Sequence, residues 1–162
     1  MIIKWDITIP QLSGDQVRKA YVYLPESYEE DPERRYPVMY LFDGHNVFFD
    51  EDATYGTSWG MYDYMEESGK QLILVGIECN REGDGRLREY APVTFEDSEL
   101  GRIEGKGKRY MHWLIKELKP YIDGNFRTLP DRENTLICGS SMGGLMALYA
   151  ATTFNHVFQR AA

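Results

Sequence analysis

Cysteine is scarce in this sequence, and no stretch of it stays apolar for long. Two cysteines among 162 residues are too few for a disulfide framework or a cysteine-rich metal site. No window approaches the roughly 20 apolar residues that a membrane-spanning helix needs, and residues 1–6 lack the layout of a signal peptide. The sequence therefore predicts a cytoplasmic protein with no membrane partner.

Positive charge is also in deficit. Lys and Arg number 18 against 26 Asp and Glu, which gives a net charge of -8. Nucleic acids and anionic membranes are bound by basic surfaces, so this balance argues against both as partners. What the chain does have is a composition that is 43% hydrophobic and 14% aromatic. That composition predicts one globular domain over residues 1–162 with a substantial core.

Short β-prone runs alternate with helical segments along the chain, which is typical of an α/β domain. Residues 2–9 and 17–24 both show period-two patterning and are joined by a Ser-Gly-Asp turn, so they predict an antiparallel hairpin. Residues 37–43 and 72–77 are nearly continuous in apolar character, which is typical of strands buried on both faces. The first of these two buried strands is predicted to be central.

Three further segments between residues 57 and 118 show recognisable patterns. Thr57 and Ser58 are predicted to cap a helix that runs to about residue 67. Residues 78–105 are polar, glycine-rich and aperiodic, and are predicted to form a long loop over a functional site. Residues 108–118 predict a helix that Pro120 ends. One face of that helix collects four apolar side chains, Tyr110, Trp113, Leu114 and Leu118.

The most informative stretch is Cys138-Gly-Ser-Ser-Met-Gly-Gly144. A β-prone run, 134–138, precedes it, and a strongly helix-forming run, 145–151, follows it. The pattern G-x-S-x-G between a strand and a helix is typical of a nucleophile elbow, here with Ser141 at its centre. Glycine on either side is needed because so sharp a turn brings the strand and the helix together.

Together with residues 121–132 and Tyr40-Leu-Phe-Asp-Gly44, this stretch closely resembles the putative esterase family of α/β-hydrolases. That family includes S-formylglutathione hydrolase, feruloyl and acetyl-carbohydrate esterases, siderophore esterases and mycolyltransferases. The resemblance implies an α/β-hydrolase fold, a three-layer sandwich with a mostly parallel central sheet. It also implies a serine carboxylesterase that acts on short-acyl or carbohydrate-linked small-molecule esters, without a metal or organic cofactor. A catalytically inactive scaffold and an acyltransferase of the same fold remain alternatives.

The resemblance also assigns roles to individual residues. Ser141 matches the nucleophile, which forms an acyl-enzyme. The backbone N–H groups of Met142 and His45 match the two oxyanion donors. Because these donors belong to the main chain, His45→Ala should have a mild effect. Six positions fall where the family binds substrate: Asn46, Tyr55, Trp59, Glu78, Arg88 and Tyr90.

The sequence departs from the family in its histidines. The family's catalytic acid and base follow the serine in the chain, yet His156 is the single histidine among the 21 residues after Ser141. At 1.5 Å per helical residue it would lie roughly 20 Å away, beyond hydrogen-bond reach. His112 falls on an amphipathic helix and is predicted to lie at the surface or in an interface. The ring of His45 remains an alternative base.

The missing base leads to an expectation about the chain itself. We expect residues 1–162 to be the N-terminal part of the fold, truncated after the nucleophile helix, with the serine strand unpaired on one side. A complementary C-terminal segment or a homo-oligomer would then complete it. The family's sheet order also places one strand between those of Cys79 and Cys138, so their separation of about twice 4.8 Å predicts free thiols.

Overall fold

A computed structural model describes all 162 residues, Met1–Ala162. The strands are β1 (Ile2–Thr8), β2 (Val17–Tyr23), β3 (Val38–Phe42), β4 (Ile73–Ile77), β5 (Phe95–Asp97), β6 (Gly101–Ile103), β7 (Thr135–Cys138) and β8 (Arg160–Ala161). The helices are α1 (Pro10–Ser13), α2 (Ser27–Glu30), α3 (Met61–Ser68), α4 (Gly85–Glu89), α5 (Gly107–Trp113), α6 (Lys119–Asn125) and α7 (Met142–Thr153). Short 3-10 turns cover Gly44–Asn46 and Arg132–Asn134.

Six strands form the main sheet in the order β1-β2-β4-β3-β7-β8. The predicted hairpin is confirmed, since β1 and β2 pair antiparallel, although the short helix α1 lies within their connection. β4, β3, β7 and β8 run parallel to one another. β3 lies between β4 and β7, so the predicted central strand and the mostly parallel α/β sheet are both confirmed.

Two hydrophobic clusters cover the two faces of this sheet. The larger one packs side chains of α5, α6 and α7 against Tyr40, Phe42 and Val75. The smaller one packs Met65 of α3, together with Val47 and Phe48, against Leu41 and Leu74. Because side chains alternate between faces along a strand, β3 contributes to both clusters. The result is three layers with the carboxyl ends of β3, β4 and β7 at one edge.

The predicted helix from residue 57 begins later than expected. α3 starts at Met61, because Gly60 takes a left-handed backbone conformation with φ of 65°. Neither Thr57 nor Ser58 caps it, since no side chain caps α3 and the hydroxyl oxygen of Ser58 accepts the N–H of Gly60, the residue before the helix. The backbone N–H of Trp59 donates to the carbonyl of Asn46, which ties this segment to the end of β3.

The predicted stop at Pro120 is wrong. α5 runs through a π turn, Leu114–Leu118, directly into α6, where Pro120 occupies the first turn. A proline cannot donate an N–H and clashes with the preceding turn of a regular α-helix. The wider π turn accommodates it. The predicted buried face is confirmed, since Tyr110, Trp113, Leu114 and Leu118 are all buried.

Residues 78–105 are less irregular than predicted. They contain α4 and a two-stranded hairpin of β5 and β6. Hydrophobic periodicity does not reveal these elements, because α4 has only five residues and each strand only three. Glu89 and Tyr90 are buried, so the segment packs into the protein as well as bordering the functional site.

The serine strand is paired on both sides, contrary to expectation. β8 pairs parallel with β7, with Leu136 opposite Arg160 and Ile137 opposite Ala161. The expected strand order is confirmed, and both cysteines are free thiols. No helix in the structure is both long and apolar enough to cross a membrane.

Candidate active site

Ser141 occupies the tight turn between β7 and α7. Its backbone has φ of 56° and ψ of -121°, and it is one of two non-glycine residues with positive φ. Such a conformation costs of order 1–3 kcal/mol and persists where the surrounding structure enforces it. A Cβ added at Gly139 would lie 2.4 Å from the backbone of Gly143, so the turn requires glycine there. The serine side chain is thereby held at the sheet edge.

The second such residue is Asp43, which follows β3 and has φ of 56°. The 3-10 turn after it presses against β4, because a Cβ added at Gly44 would lie 2.4 Å from the carbonyl carbon of Gly76. The first turn of α7 lies on the other side: a Cβ at Gly143 would be 3.4 Å from a carboxylate oxygen of Asp43. The turns that follow β3 and β7 are therefore neighbours.

Each of these turns carries a backbone amide without a backbone acceptor. The N–H of Met142, the first residue of α7, and the N–H of His45 donate to no backbone carbonyl. The free N–H groups at a helix N-terminus, together with the helix dipole, favour negative charge nearby. Amides of this kind could donate to an oxyanion that forms beside Ser141.

A cavity of about 350 Å³ opens beside the serine, within the size range of small-molecule sites. Its lining comes from the ends of β3, β4 and β7, from the loop after β3 and from α4. The lining residues are Asp43, His45, Asn46, Thr54, Tyr55, Cys79, Arg86 and Ser141.

The structure brings four of the residues singled out from the sequence into this cavity: Ser141, His45, Asn46 and Tyr55. Met142 follows Ser141 directly at the start of α7. The side chain of Asn46 accepts the N–H of Thr54, which folds the loop back on itself. Tyr55 is 94% exposed, so its ring is free to contact a ligand.

The other four predicted substrate contacts do not line the cavity. Trp59 and Arg88 lie outside it, and Arg88 pairs with Asp84. The carboxylate of Glu78 accepts the backbone N–H of Lys19. The assignment of Tyr90 needs correction.

Tyr90 is completely buried and cannot reach a substrate in this structure. Its ring packs edge-on against Phe42 and Tyr110, and its hydroxyl oxygen accepts the backbone N–H of Asp43 at 3.0 Å. Tyr90 therefore supports the turn after β3 from within the core.

Sequence reasoning missed four lining residues: Asp43, Thr54, Cys79 and Arg86. A signal existed for two of them, since Asp43 and Cys79 follow the parallel strands β3 and β4 closely, and ligands of such sheets bind at the carboxyl ends of strands. Thr54 and Arg86 lie in loops without a pattern that marks them.

The strongest electrostatic contact in the cavity joins Asp43 and Arg86. Nε and Nη2 of the guanidinium donate to the two carboxylate oxygens, each at 2.8 Å. The Asp43 side chain is 2% exposed and that of Arg86 is 35% exposed. The hydrogen bond to Asp43 raises the pKa of Arg86 above its usual range. The two charges compensate each other, so the pair adds no net charge to the cavity.

The other two buried groups at the cavity are neutral. The Nε2 atom of His45 lies 3.0 Å from Oγ1 of Thr54, whereas its Nδ1 atom is buried without a partner. Burial lowers the pKa of His45 below 6.5. Burial likewise raises the pKa of the Cys79 thiol to about 12. At neutral pH the cavity therefore suits an uncharged ligand.

The depressed pKa of His45 leads to a pH-dependent stability. Below pH 6.5 the unfolded chain binds a proton at His45 that the folded protein does not. This residue therefore contributes stability that is fully present above pH 6.5 and is lost as the pH falls. We expect His45→Asn to lose less unfolding free energy than the wild type between pH 7 and pH 5. Urea unfolding at both pH values measures this, and equal losses would contradict it.

Asp43, His45 and Cys79 each place one potential metal-ligand atom within 4.8 Å of the others. The donor set does not fit a cation well. Both Asp43 oxygens already accept hydrogen bonds from Arg86, and the Arg86 guanidinium places a positive charge beside the three residues. The Cys79 thiol would also have to ionise to become a good ligand. The Asp43 carboxylate is instead engaged in the ion pair with Arg86.

The remaining histidines lie at the opposite end of α7 from Ser141. His112 and His156 both lie beside the ring of Phe154, with ring centroids 5.8 Å and 6.4 Å from it. Phe154 directly follows the last residue of α7, and twelve helical residues span about 18 Å. Neither ring can therefore exchange a proton directly with Ser141 in this structure.

A serine on a strained turn after a central parallel strand, in a sheet with helices on both faces, defines an α/β-hydrolase-like protein. The solved structure of an IroE-like serine hydrolase from Shewanella oneidensis shares this fold. It has a TM-score of 0.76 and 24% sequence identity, and the match covers 99% of this chain and 49% of that one.

A family model described as "Putative esterase" matches residues 13–162, and the chain belongs to this esterase family. The endo-1,4-beta-xylanase/feruloyl esterase of Xylanibacter ruminicola is 32% identical over 86% of this chain and 18% of that protein. Esterase Rv1288 of Mycobacterium tuberculosis is 30% identical over 83% of this chain and 26% of that protein. The chain thus spans about a quarter or less of these two relatives.

Proposed function

We propose that this chain carries the nucleophilic part of a serine carboxylesterase, with Ser141 as the residue that becomes acylated. The observation that carries the proposal is the placement of Ser141 on a strained turn at a cavity of about 350 Å³. The unpaired amides of Met142 and His45 on the two adjoining turns support it. Neighbouring turns that present a nucleophile and two donors suit acyl transfer.

In the proposed reaction the Oγ atom of Ser141 attacks the ester carbonyl carbon. The carbonyl oxygen becomes an oxyanion, which accepts hydrogen bonds from the amides of Met142 and His45. Collapse of this intermediate breaks the bond to the alcohol oxygen, which takes up the proton that the serine released. Water then attacks the acyl-enzyme in the same way, releases the acid and restores Ser141.

We further propose that the base for this proton transfer is none of the three histidines of this chain. His112 and His156 lie beside Phe154, at the far end of α7. The Nε2 atom of His45 already has a hydrogen-bond partner in the hydroxyl of Thr54, and its Nδ1 atom is buried. A complementary segment or a second copy of the chain would supply the base.

The proposed substrates are uncharged small-molecule esters with short acyl groups or with a carbohydrate alcohol. The compensated Asp43–Arg86 pair and the neutral His45 and Cys79 leave the cavity without net charge. Tyr55 offers an exposed aromatic face at its rim, which suits stacking on a sugar or aromatic ring. The feruloyl esterase in the name of one relative agrees with this class.

A panel of esters tests the proposal. We expect nitrophenyl acetate to give a burst of nitrophenol equal to the enzyme concentration, followed by slower turnover, because this reactive ester acylates the serine faster than water hydrolyses the acyl-enzyme. Acetyl-xylan and methyl ferulate compare the two substrate types. Adding a sugar acceptor separates hydrolysis from acyl transfer, since a transferase yields a new ester. Absence of both burst and turnover with every ester, measured with the complementary segment or second copy that supplies the base present, would contradict the proposal.

A further inference from the structure

We propose that Arg86 is a positioning residue, which holds the turn after β3 so that the amide of His45 faces the cavity. The proposal rests on the esterase function proposed above. Arg86 belongs to α4, within the segment 78–105. The role follows from the contacts that Arg86 makes within the protein, and not from contact with a substrate.

The first contact is a fork-shaped ion pair. Nε of Arg86 donates to Oδ1 of Asp43 and Nη2 donates to Oδ2, both at 2.8 Å. Two parallel hydrogen bonds fix the orientation of a carboxylate, whereas a single bond leaves it free to rotate. The Asp43 side chain is 2% exposed, so water cannot replace the guanidinium without a cost in desolvation.

The second contact, with Tyr90, links Arg86 to the backbone of Asp43. The Arg86 guanidinium lies over the ring of Tyr90, 5.2 Å from its centroid. The hydroxyl oxygen of that tyrosine accepts the Asp43 N–H at 3.0 Å. Asp43 is thus held at its side chain by Arg86 and at its main chain by Tyr90. Both contacts oppose relaxation of its φ of 56° to the ordinary negative region.

The turn held in this way presents the proposed oxyanion donor. The Asp43 carbonyl accepts the N–H of Asn46 at 2.8 Å, which closes the turn around Gly44 and His45. Rotation of the Asp43 backbone would break that bond and turn the His45 amide. An oxyanion donor contributes only when it points to the place where charge develops, so catalysis depends on this geometry.

α4 is itself fixed, which makes Arg86 a rigid support. Glu89, at the end of α4, forms a buried ion pair with Arg18 of β2, with a contact of 2.7 Å. It also accepts the backbone N–H of Asn80. A chain of contacts through Asp43, Arg86 and Glu89 therefore fixes the position of the His45 amide relative to the sheet.

Kinetics of Arg86→Gln against Arg102→Gln test the role. Arg102 of β6 belongs to the same segment, is exposed and does not line the cavity, so its variant is the matched control. We expect Arg86→Gln to lower the acylation rate constant with nitrophenyl acetate about 100-fold, as for loss of one oxyanion donor. KM should stay within about twofold, and Arg102→Gln should resemble the wild type. A rise in KM alone, or an unchanged acylation rate, would overturn the proposal.

A second readout does not depend on activity. Hydrogen exchange of the Asn46 amide, which donates to Asp43, should be at least about tenfold faster in Arg86→Gln, because the turn opens more often, and unchanged in Arg102→Gln. Equal exchange in all three proteins overturns the proposal. If the wild type acylates no ester, the esterase function fails, whereas the exchange result still decides whether Arg86 holds the turn.

Arg86→Lys provides a further check if Arg86→Gln does not fold. Lysine keeps the positive charge but cannot form the fork, since its ammonium is a single point donor. We expect most of the loss in acylation to persist in this variant. Full recovery by lysine would show that charge alone suffices and would overturn the positioning role.

Discussion

Replacing Ser141 by alanine should lower the rate of ester hydrolysis by about 10⁴-fold or more, since loss of the serine nucleophile of a serine protease lowers kcat about 10⁶-fold. KM should change little, because the cavity keeps its other lining residues. The measurement is the steady-state rate with nitrophenyl acetate, together with the burst.

Ser140 provides the control for this experiment. It is the preceding residue in the same turn, and its carbonyl, not its side chain, accepts the N–H of Gly143. Ser140→Ala should therefore keep activity within a few-fold of the wild type. Equal losses in the two variants would point to a disrupted turn, and full activity in Ser141→Ala would rule out the proposed nucleophile.

Breaking the buried ion pair of Arg18 and Glu89 should destabilise the fold by about 3–5 kcal/mol, the usual cost of leaving one buried charge uncompensated. Both side chains are 2% exposed, and the guanidinium donates to both carboxylate oxygens at 2.9 Å and 2.7 Å. Arg18→Met is the direct test, measured as the free energy of unfolding in urea.

Two further variants sharpen this prediction. The double variant Arg18→Met/Glu89→Leu should be more stable than Arg18→Met, because it leaves no unpaired charge in the core. Lys19→Met removes an exposed pair with Asp6 on the same sheet and should leave stability nearly unchanged. A double variant less stable than the single one would show that the pair stabilises the fold beyond mutual neutralisation.

The sequence predicted the parts of the fold that local patterns determine. β3, β4 and the strand–serine–helix turn at Ser141 follow from continuous apolar runs and from glycines that a tight turn requires. The esterase family followed from the motifs around them and is confirmed by the match over residues 13–162. In each case adjacent residues carry the signal.

Features that depend on tertiary packing could not be predicted in this way. Pro120 normally ends a helix, and only the π turn before it lets the helix continue. Tyr90 lies in a polar, aperiodic segment of the kind that forms a substrate-binding loop, yet it packs beneath Asp43. Arg86 reaches the cavity across 43 residues of sequence to meet Asp43. Such pairings depend on which elements meet in space.

Ser141 is proposed to be a reactive nucleophile at the edge of the sheet, and labelling with a fluorophosphonate probe tests this most directly. Such a probe phosphonylates activated serines, which replicates the first covalent step of the proposed reaction. The protein is treated with the probe, digested and analysed by mass spectrometry, with Ser141→Ala in parallel. We expect a single adduct on Ser141 that is absent from the variant. An unmodified protein, or an adduct on another residue, would contradict it.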